Sequence, residues 1–301
     1  MSFDPNAFLI ITTGSMIAIS CGLLGVFLML RKMAMTGDAI SHAVLPGIVI
    51  AFLVSGSRHG LTMVIGAGLV GILATVFIEY LSNKVKLQSD ASIGITFTSL
   101  FALGIIMITF LANEIDLDQD CVLYGEIAYV PIDLWITGSG KIIGPRVTYL
   151  SLINMVLVIG FIILFFKELK ISTFDKEFAA TLGLSTVGVN YALMGMVSYT
   201  TVSSFEAVGA ILVVALMVVP PATAYLWTKN LYRLIQLTVV LGVVISFLGY
   251  YMAYFLNSSI AGAMASVAGF FFFTTVILQR RQIPRIKKKL AAVKVGSWST
   301  E

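Results

Sequence analysis

Within the run RKMAMTGDAISHAVLPGIVIAFL, Asp38 and His42 stand four residues apart. On a helix this spacing puts both side chains on one face, one turn apart. Together they offer a carboxylate oxygen and an imidazole nitrogen to a single point. Mixed oxygen and nitrogen donors suit manganese, iron(II) or zinc, whereas copper(I) favours Cys or Met sulfur. The pair alone is a weak signal. Capping of a helix start by Asp38, with His42 incidental, accounts for the same spacing. Glu206, in SSFEAVGAILVVALMVVPPATAYLW, is a further candidate ligand. A carboxylate beside a long apolar run needs a partner or a wet cavity, so a gate or an interfacial acid are its other readings. Pro46 and Gly47 follow His42 by one turn and predict a structural kink or a gate lining a cavity. Pro220 and Pro221 are expected to break the run after Glu206. Asp90 is read as the cap of a later helix, and His59 as a polar turn residue.

The elements that position these groups follow from composition. Of 301 residues, 58% are hydrophobic and 11% charged, and the mean hydropathy is +0.99. A soluble domain keeps roughly 25% charged residues, so the solvent of this chain is lipid. Backbone polar groups in lipid must be satisfied internally, which leaves helices or a closed barrel. The apolar runs here are continuous rather than alternating, as helices require. Candidate spans are 8–30, 39–55, 61–82, 93–112, 148–166, 188–203, 205–227, 234–255 and 260–278. The sixth and seventh are separated only near Ser204, and one of them is a candidate re-entrant segment. The expectation is an all-α, polytopic membrane protein with eight or nine spans, forming one domain over 1–301. No basic region precedes Phe8–Leu30, and that run exceeds a signal-peptide core, so it reads as a retained span.

Lys and Arg fix the orientation, because they stay cytoplasmic. With the N-terminus outside, every basic residue except Arg58, Lys141 and Arg146 falls on the inner side. The basic tail 280–301 is then cytoplasmic. The net charge of +4 is therefore topological and does not indicate nucleic acid. The outer stretch 113–147 carries Glu114, Asp116, Asp118, Asp120, Glu126 and Asp133. It reads as an ordinary acidic loop, or as a docking rim that concentrates cations. The inner stretch 167–187 is amphipathic. Phe174, Phe178 and Leu182 recur at helical spacing before a stop at Gly183. A surface helix against the headgroups and a helix that plugs into a cytoplasmic partner are both consistent with it.

Absences narrow the chemistry. The sequence has no G-x-x-x-x-G-K-[ST] phosphate loop and no H-E-x-x-H motif, so ATP is not bound in the P-loop manner. No nucleophile constellation emerges. Cys21 lies in an apolar run as a packing residue, and Cys121 is far from it, so no disulfide framework is expected.

Four segments, in order, resemble the permease subunits of the metal-importing ABC-3 family. RKMAMTGDAISHAVLPGIVIAF is similar to the family's second-span segment, and DASIGITFTSLFALGI to its next landmark. FDKEFAATLGLS is similar to its coupling helix, and VGAILVVALMVVPPATA to its seventh-span signature. The resemblance covers about 20–280. It implies an ABC importer fold in a bacterial inner membrane, with two permease subunits, identical or different, around a pathway. It implies ATPase subunits docked on the coupling helix near Thr173–Leu184, including Phe174, Asp175, Phe178, Leu182 and Gly183. It implies an extracytoplasmic metal-binding protein that delivers the ion, and metal binding by Asp38 and His42. No permanently bound cofactor is implied, because the metal is cargo. S-F-E-A-V-G, at 204–209, looks more like the manganese and iron branches than the zinc branch, so manganese is expected first, with zinc or iron as alternatives. The rival classes are a proton-coupled secondary metal transporter and a metal-sensing membrane protein without turnover. An intramembrane enzyme is more remote.

Overall fold

The computed structural model describes residues 5–55, 60–111, 127–136 and 142–296; the side chain of Glu206 and those beyond Arg280 lie outside the description. Eight helical stretches among the described residues are long and apolar enough to cross a membrane. In chain order the helices are α1 (Pro5–Leu30), α2 (Thr36–Ala43), α3 (Leu45–Ser55), α4 (Gly60–Asn83), α5 (Ser89–Leu111), α6 (Arg146–Leu164), α7 (Phe166–Phe174), α8 (Lys176–Thr181), α9 (Thr186–Trp227), α10 (Leu231–Leu256) and α11 (Ile260–Gly296). A two-stranded antiparallel hairpin, β1 (Leu134–Ile136) and β2 (Ile142–Pro145), precedes α6.

α1 and α9 form the centre. α1 packs against α6, α9 and α10, while α9 also reaches α2, α4 and α11. Their fully buried side chains include Ile17, Leu24, Phe27 and Leu28 from α1, and Leu193, Met194, Leu212, Leu216 and Met217 from α9. Lipid tails are as apolar as leucine, so burial alone does not hold such helices together; close packing and inter-helix hydrogen bonds do. Thr13 and Thr148 share a hydrogen bond of 2.8 Å between α1 and α6. The Thr200 hydroxyl donates to Asn154 Oδ1 at 3.1 Å between α9 and α6. Each such bond contributes roughly 0.6 kcal/mol.

α9 is broken at Gly209, whose φ of 75° and ψ of 164° lie outside the helical region. Positive φ comes at no steric cost to glycine. The break makes the helix double back. Asn190, near its start, accepts a hydrogen bond from Arg31 at the end of α1. Ala224, near its end, packs in a cluster with Val26 and Leu231, against which Met29 and Leu30 also lie. Both ends of α9 therefore sit at one end of the bundle. The flanks of the break, Ala207, Val208 and Ala210, are buried. The sixth and seventh expected spans are thus two arms of one bent helix, parted at Gly209 rather than near Ser204.

The prolines behave otherwise than expected. α9 continues through Pro220 and Pro221 to Trp227. A proline in a helix cannot donate to the carbonyl four residues back, here Leu216 and Met217. The Met217 carbonyl presses on Gly25 of α1, at the place where a Cβ would stand, and the Leu216 carbonyl lies beside Gly22. Glycine on α1 lets the two backbones approach where those carbonyls are released, a geometry suited to Cα–H···O contacts.

Candidate functional site

Asp38 and His42 lie on α2, the first part of a span broken at Val44, just before Pro46 and Gly47. The N-cap of α2 is Met35, with no side-chain cap bond. Asp38 is the third helical residue, so the capping reading does not hold. Instead Asp38 Oδ1 stands 3.6 Å from His42 Nε2, with the two side chains 35% and 31% exposed. That separation is too long for a hydrogen bond. It does suit two donors around one ion held at about 2.1 Å from each. Pro46 has no N–H to offer the His42 carbonyl, four residues back, and so loosens the backbone at this turn.

The imidazole is held by two rings. Phe97 and Phe101 of α5 lie 5.9 Å and 5.6 Å from it, centroid to centroid, the second edge-on. Ala39, Ile78 and Ile93 form a small buried cluster with Phe97 beside them. α2 also rests on α9, since a Cβ at Gly37 would meet the Met217 sulfur. Phe97 and Phe101 are not among the sequence-derived candidates. Their four-residue spacing within ASIGITFTSLFALG was the available signal.

Other candidates do not converge on the pair. Among the described residues, no group of three or more His, Cys, Asp or Glu is placed to hold a metal. Glu206 lies on the first arm of α9, three residues before its break, and its side chain lies outside the described residues. His59, Cys121, Glu114, Asp116, Asp118, Asp120 and Glu126 also lie outside them. The Asp133 carbonyl accepts the Arg146 N–H at 2.9 Å, tying the hairpin to α6. Asp90 sits in the first turn of α5 rather than at its cap, where its charge still favours the helix dipole. Cys21 is buried and free.

The expected inner helix is two. Asp175 takes an extended conformation between α7 and α8 and accepts the Phe178 N–H at 2.8 Å, capping α8. Phe174, Phe178 and Leu182 therefore do not share one continuous helix, although all three are exposed. Gly183, at φ 75°, ends the segment as expected. Lys170 and Phe166 of α7 lie near the Tyr232 ring of α10, which keeps this segment on the end of the bundle shared by the ends of α9.

Sequence reasoning missed Arg31. Its guanidinium donates to Thr173 Oγ1 at 3.0 Å, Asn190 Oδ1 at 3.0 Å and Ser172 Oγ at 2.8 Å. Burial pushes its pKa down to about 10, so the cation is permanent at neutral pH.

A bundle of apolar helices around one bent helix, with a part-exposed carboxylate–imidazole pair in one span, makes this a polytopic membrane protein. Comparison with known proteins specifies it further. The model of the ABC 3 transport family matches residues 5–279. The manganese transport system membrane protein MntD of Bacillus subtilis is 46% identical over 269 residues, 89% of this chain and 90% of that one. The zinc transport system membrane protein TroD of Treponema pallidum is 39% identical over 260 residues, 85% of this chain and 69% of that one. Among solved structures, PsaBC from Streptococcus pneumoniae in complex with Fab superposes with a TM-score of 0.73 at 31% identity, covering 91% of both chains. The chain belongs to the ABC 3 transport family.

Proposed function

We propose that this chain is the permease subunit of an ATP-driven importer of a divalent transition metal, manganese first and zinc or iron as alternatives. The observation that carries the reading is the Asp38–His42 pair: two unlike donors 3.6 Å apart, part exposed, inside a membrane span. An ionisable pair in a span is costly unless it faces a pathway or a partner. A second permease subunit, identical or related, supplies a second such pair and makes four side-chain ligands. Two carboxylates and two neutral imidazoles carry a charge that offsets a divalent cation. The names of the relatives support manganese or zinc as cargo. A nitrogen–oxygen site alone favours zinc over manganese, so selectivity lies in geometry or in the extracytoplasmic binding protein that delivers the ion.

The chain functions as one membrane domain in a bacterial inner membrane. Its sequence has no phosphate loop, so ATP is hydrolysed on separate ATPase subunits. These dock on α8 and the exposed side chains on and beside it, Phe174 at the end of α7, Phe178 on α8 and Leu182 just after it. The end of the bundle holding Arg31, α7, α8 and both ends of α9 faces the cytoplasm, as does the basic tail, in keeping with the sorting of Lys and Arg. Pro46 and Gly47 supply the flexible point beside the ligands. Pro220, Pro221 and Gly25 set the contact between α1 and α9, and Glu206 near the bend is a candidate further ligand or gate.

The test is metal accumulation, read by mass spectrometry, in metal-starved cells expressing this chain with its candidate ATPase and binding protein. Manganese rises with wild type, and His42→Ala at equal membrane level abolishes the rise. Accumulation that persists without the ATPase points to a secondary transporter, and normal transport by His42→Ala removes the site.

A further inference from the structure

Arg31 occupies a junction of four helices. It is the C-cap of α1 in a closed turn: Lys32 is left-handed at φ 60°, its N–H bonds the Met29 carbonyl at 3.0 Å, and the Met33 N–H bonds the Leu28 carbonyl at 2.9 Å. This paired pattern is the Schellman end of a helix, held although Lys32 gains nothing from that conformation. The Thr36 N–H then bonds the Met33 carbonyl at 3.1 Å and opens α2. Few free torsions remain between Arg31 and the ligand-bearing turn of Asp38 and His42.

On its other side, the guanidinium grips the last turn of α7 through Ser172 and Thr173. Two residues after Thr173, Asp175 caps α8. The third donor holds Asn190 on the first arm of α9, and Asn190 Nδ2 in turn approaches Glu79 Oε1 of α4 at 3.5 Å. No ion pair with Arg31 is present among the described residues, so the cation is satisfied by neutral oxygens alone. A salt bridge would also anchor a part-buried charge. Three neutral acceptors on two helices instead use the planar fork of arginine, which a lysine cannot reproduce.

We propose that Arg31 is the joint through which displacement of α7 and α8 reaches α2 and opens or closes the Asp38–His42 pair. It is a positioning residue, since it touches no ligand atom of the site. The inference rests on the importer reading above and adds the path from the dock to the ligands. When the ATPase subunits draw α8 aside, Ser172 and Thr173 carry the guanidinium with them. The closed turn passes that movement to Asp38 while Asn190 holds the first arm of α9 in register.

The experiment is manganese(II) uptake and ATP hydrolysis in proteoliposomes holding the permease with its ATPase and binding protein, for wild type, Arg31→Lys and Thr173→Val. Arg31→Lys keeps the charge and loses the fork; it is expected to lower metal carried per ATP at least tenfold while hydrolysis stays within twofold. Thr173→Val, which removes one acceptor at constant shape, shows the same uncoupling to a smaller degree. This ratio separates a joint from a merely structural role, because misfolding lowers uptake and hydrolysis together. Should Arg31→Lys fail to fold, Thr173→Val decides alone. Proportional loss of both activities in a variant whose melting temperature is unchanged, or an unchanged ratio in both variants, overturns the joint and leaves the importer standing. Absence of ATP-dependent uptake by wild type overturns the importer reading and the joint with it.

Discussion

Two charged positions in the same stretch of chain are built in opposite ways. Arg31 is part buried, and each of its three nitrogens has an oxygen at 2.8–3.0 Å. Asp38 and His42 are part exposed, 3.6 Å apart, and joined by no third acid or imidazole among the described residues. A buried polar group that is fully satisfied fixes one arrangement, because any other leaves donors unpaired. A pair left open can accept something that arrives and later leaves. On the importer reading proposed above, completeness marks the charge that belongs to the machine and incompleteness the pair that would meet its cargo.

Asp38→Asn presses hardest on this contrast. It keeps the shape of the side chain and removes its charge, so the bundle stays folded while a divalent cation loses its anionic donor. Loss of an outer-shell partner already costs roughly 10–100-fold in metal affinity. Loss of a ligand is expected to cost about 100-fold or more, read as manganese uptake at matched membrane level, with an unchanged melting temperature in detergent. Arg31→Met should invert that pattern. Its three acceptors, Ser172 buried and Thr173 and Asn190 part-buried, would lose their donor together, at a cost of about 1–3 kcal/mol, seen as a drop in melting temperature. If Asp38→Asn melts the protein and Arg31→Met does not, the assignment of roles is reversed.

Gly25→Ala comes next in size. Its Cβ would land on the Met217 carbonyl, and forcing α1 from α9 costs about 1–3 kcal/mol. The control is Gly160→Ala on α6, where nothing lies within 4 Å of the added carbon; it is expected to leave the melting temperature unchanged or slightly raised. Equal effects at both sites would mean that the α1–α9 contact is not a close backbone approach.

These positions also show what was legible in sequence and what was not. Local signals held. Continuous apolar runs marked the spans, four-residue spacing brought Asp38 and His42 together, and Gly183 ended the inner segment. Signals that depend on a distant partner failed. Two adjacent prolines ought to end a helix, but the carbonyls they release lie against Gly22 and Gly25, some two hundred residues earlier. The sorting of Lys and Arg already returned both arms of α9 to one side; the exact break, at Gly209 rather than near Ser204, was not marked. Asp175 was read inside one helix because the 3.6-residue spacing of Phe174, Phe178 and Leu182 outweighed its capping preference. Arg31 looked like one more cytoplasmic cation, since its acceptors, Ser172, Thr173 and Asn190, are remote in sequence.

The smallest effect on stability falls on the surface next to the joint. Phe178 is 52% exposed on α8, and surface substitutions away from caps and cores usually change stability by no more than about 0.5 kcal/mol. Phe178→Ser keeps the Asp175 cap, because that bond uses the backbone N–H of residue 178. The melting temperature of the isolated permease should therefore stay put. Binding energy at an interface concentrates in a few buried aromatic anchors, so the same substitution should sharply reduce co-purification of the ATPase in mild detergent. Lys176→Ala beside it, with no apolar ring to bury, should reduce capture far less. Were Phe178→Ser to retain the ATPase fully, the exposed ring would be lying against lipid headgroups rather than a partner. Movement of the ATPase would then have to enter through α7 directly, and Arg31 would meet it one helix sooner.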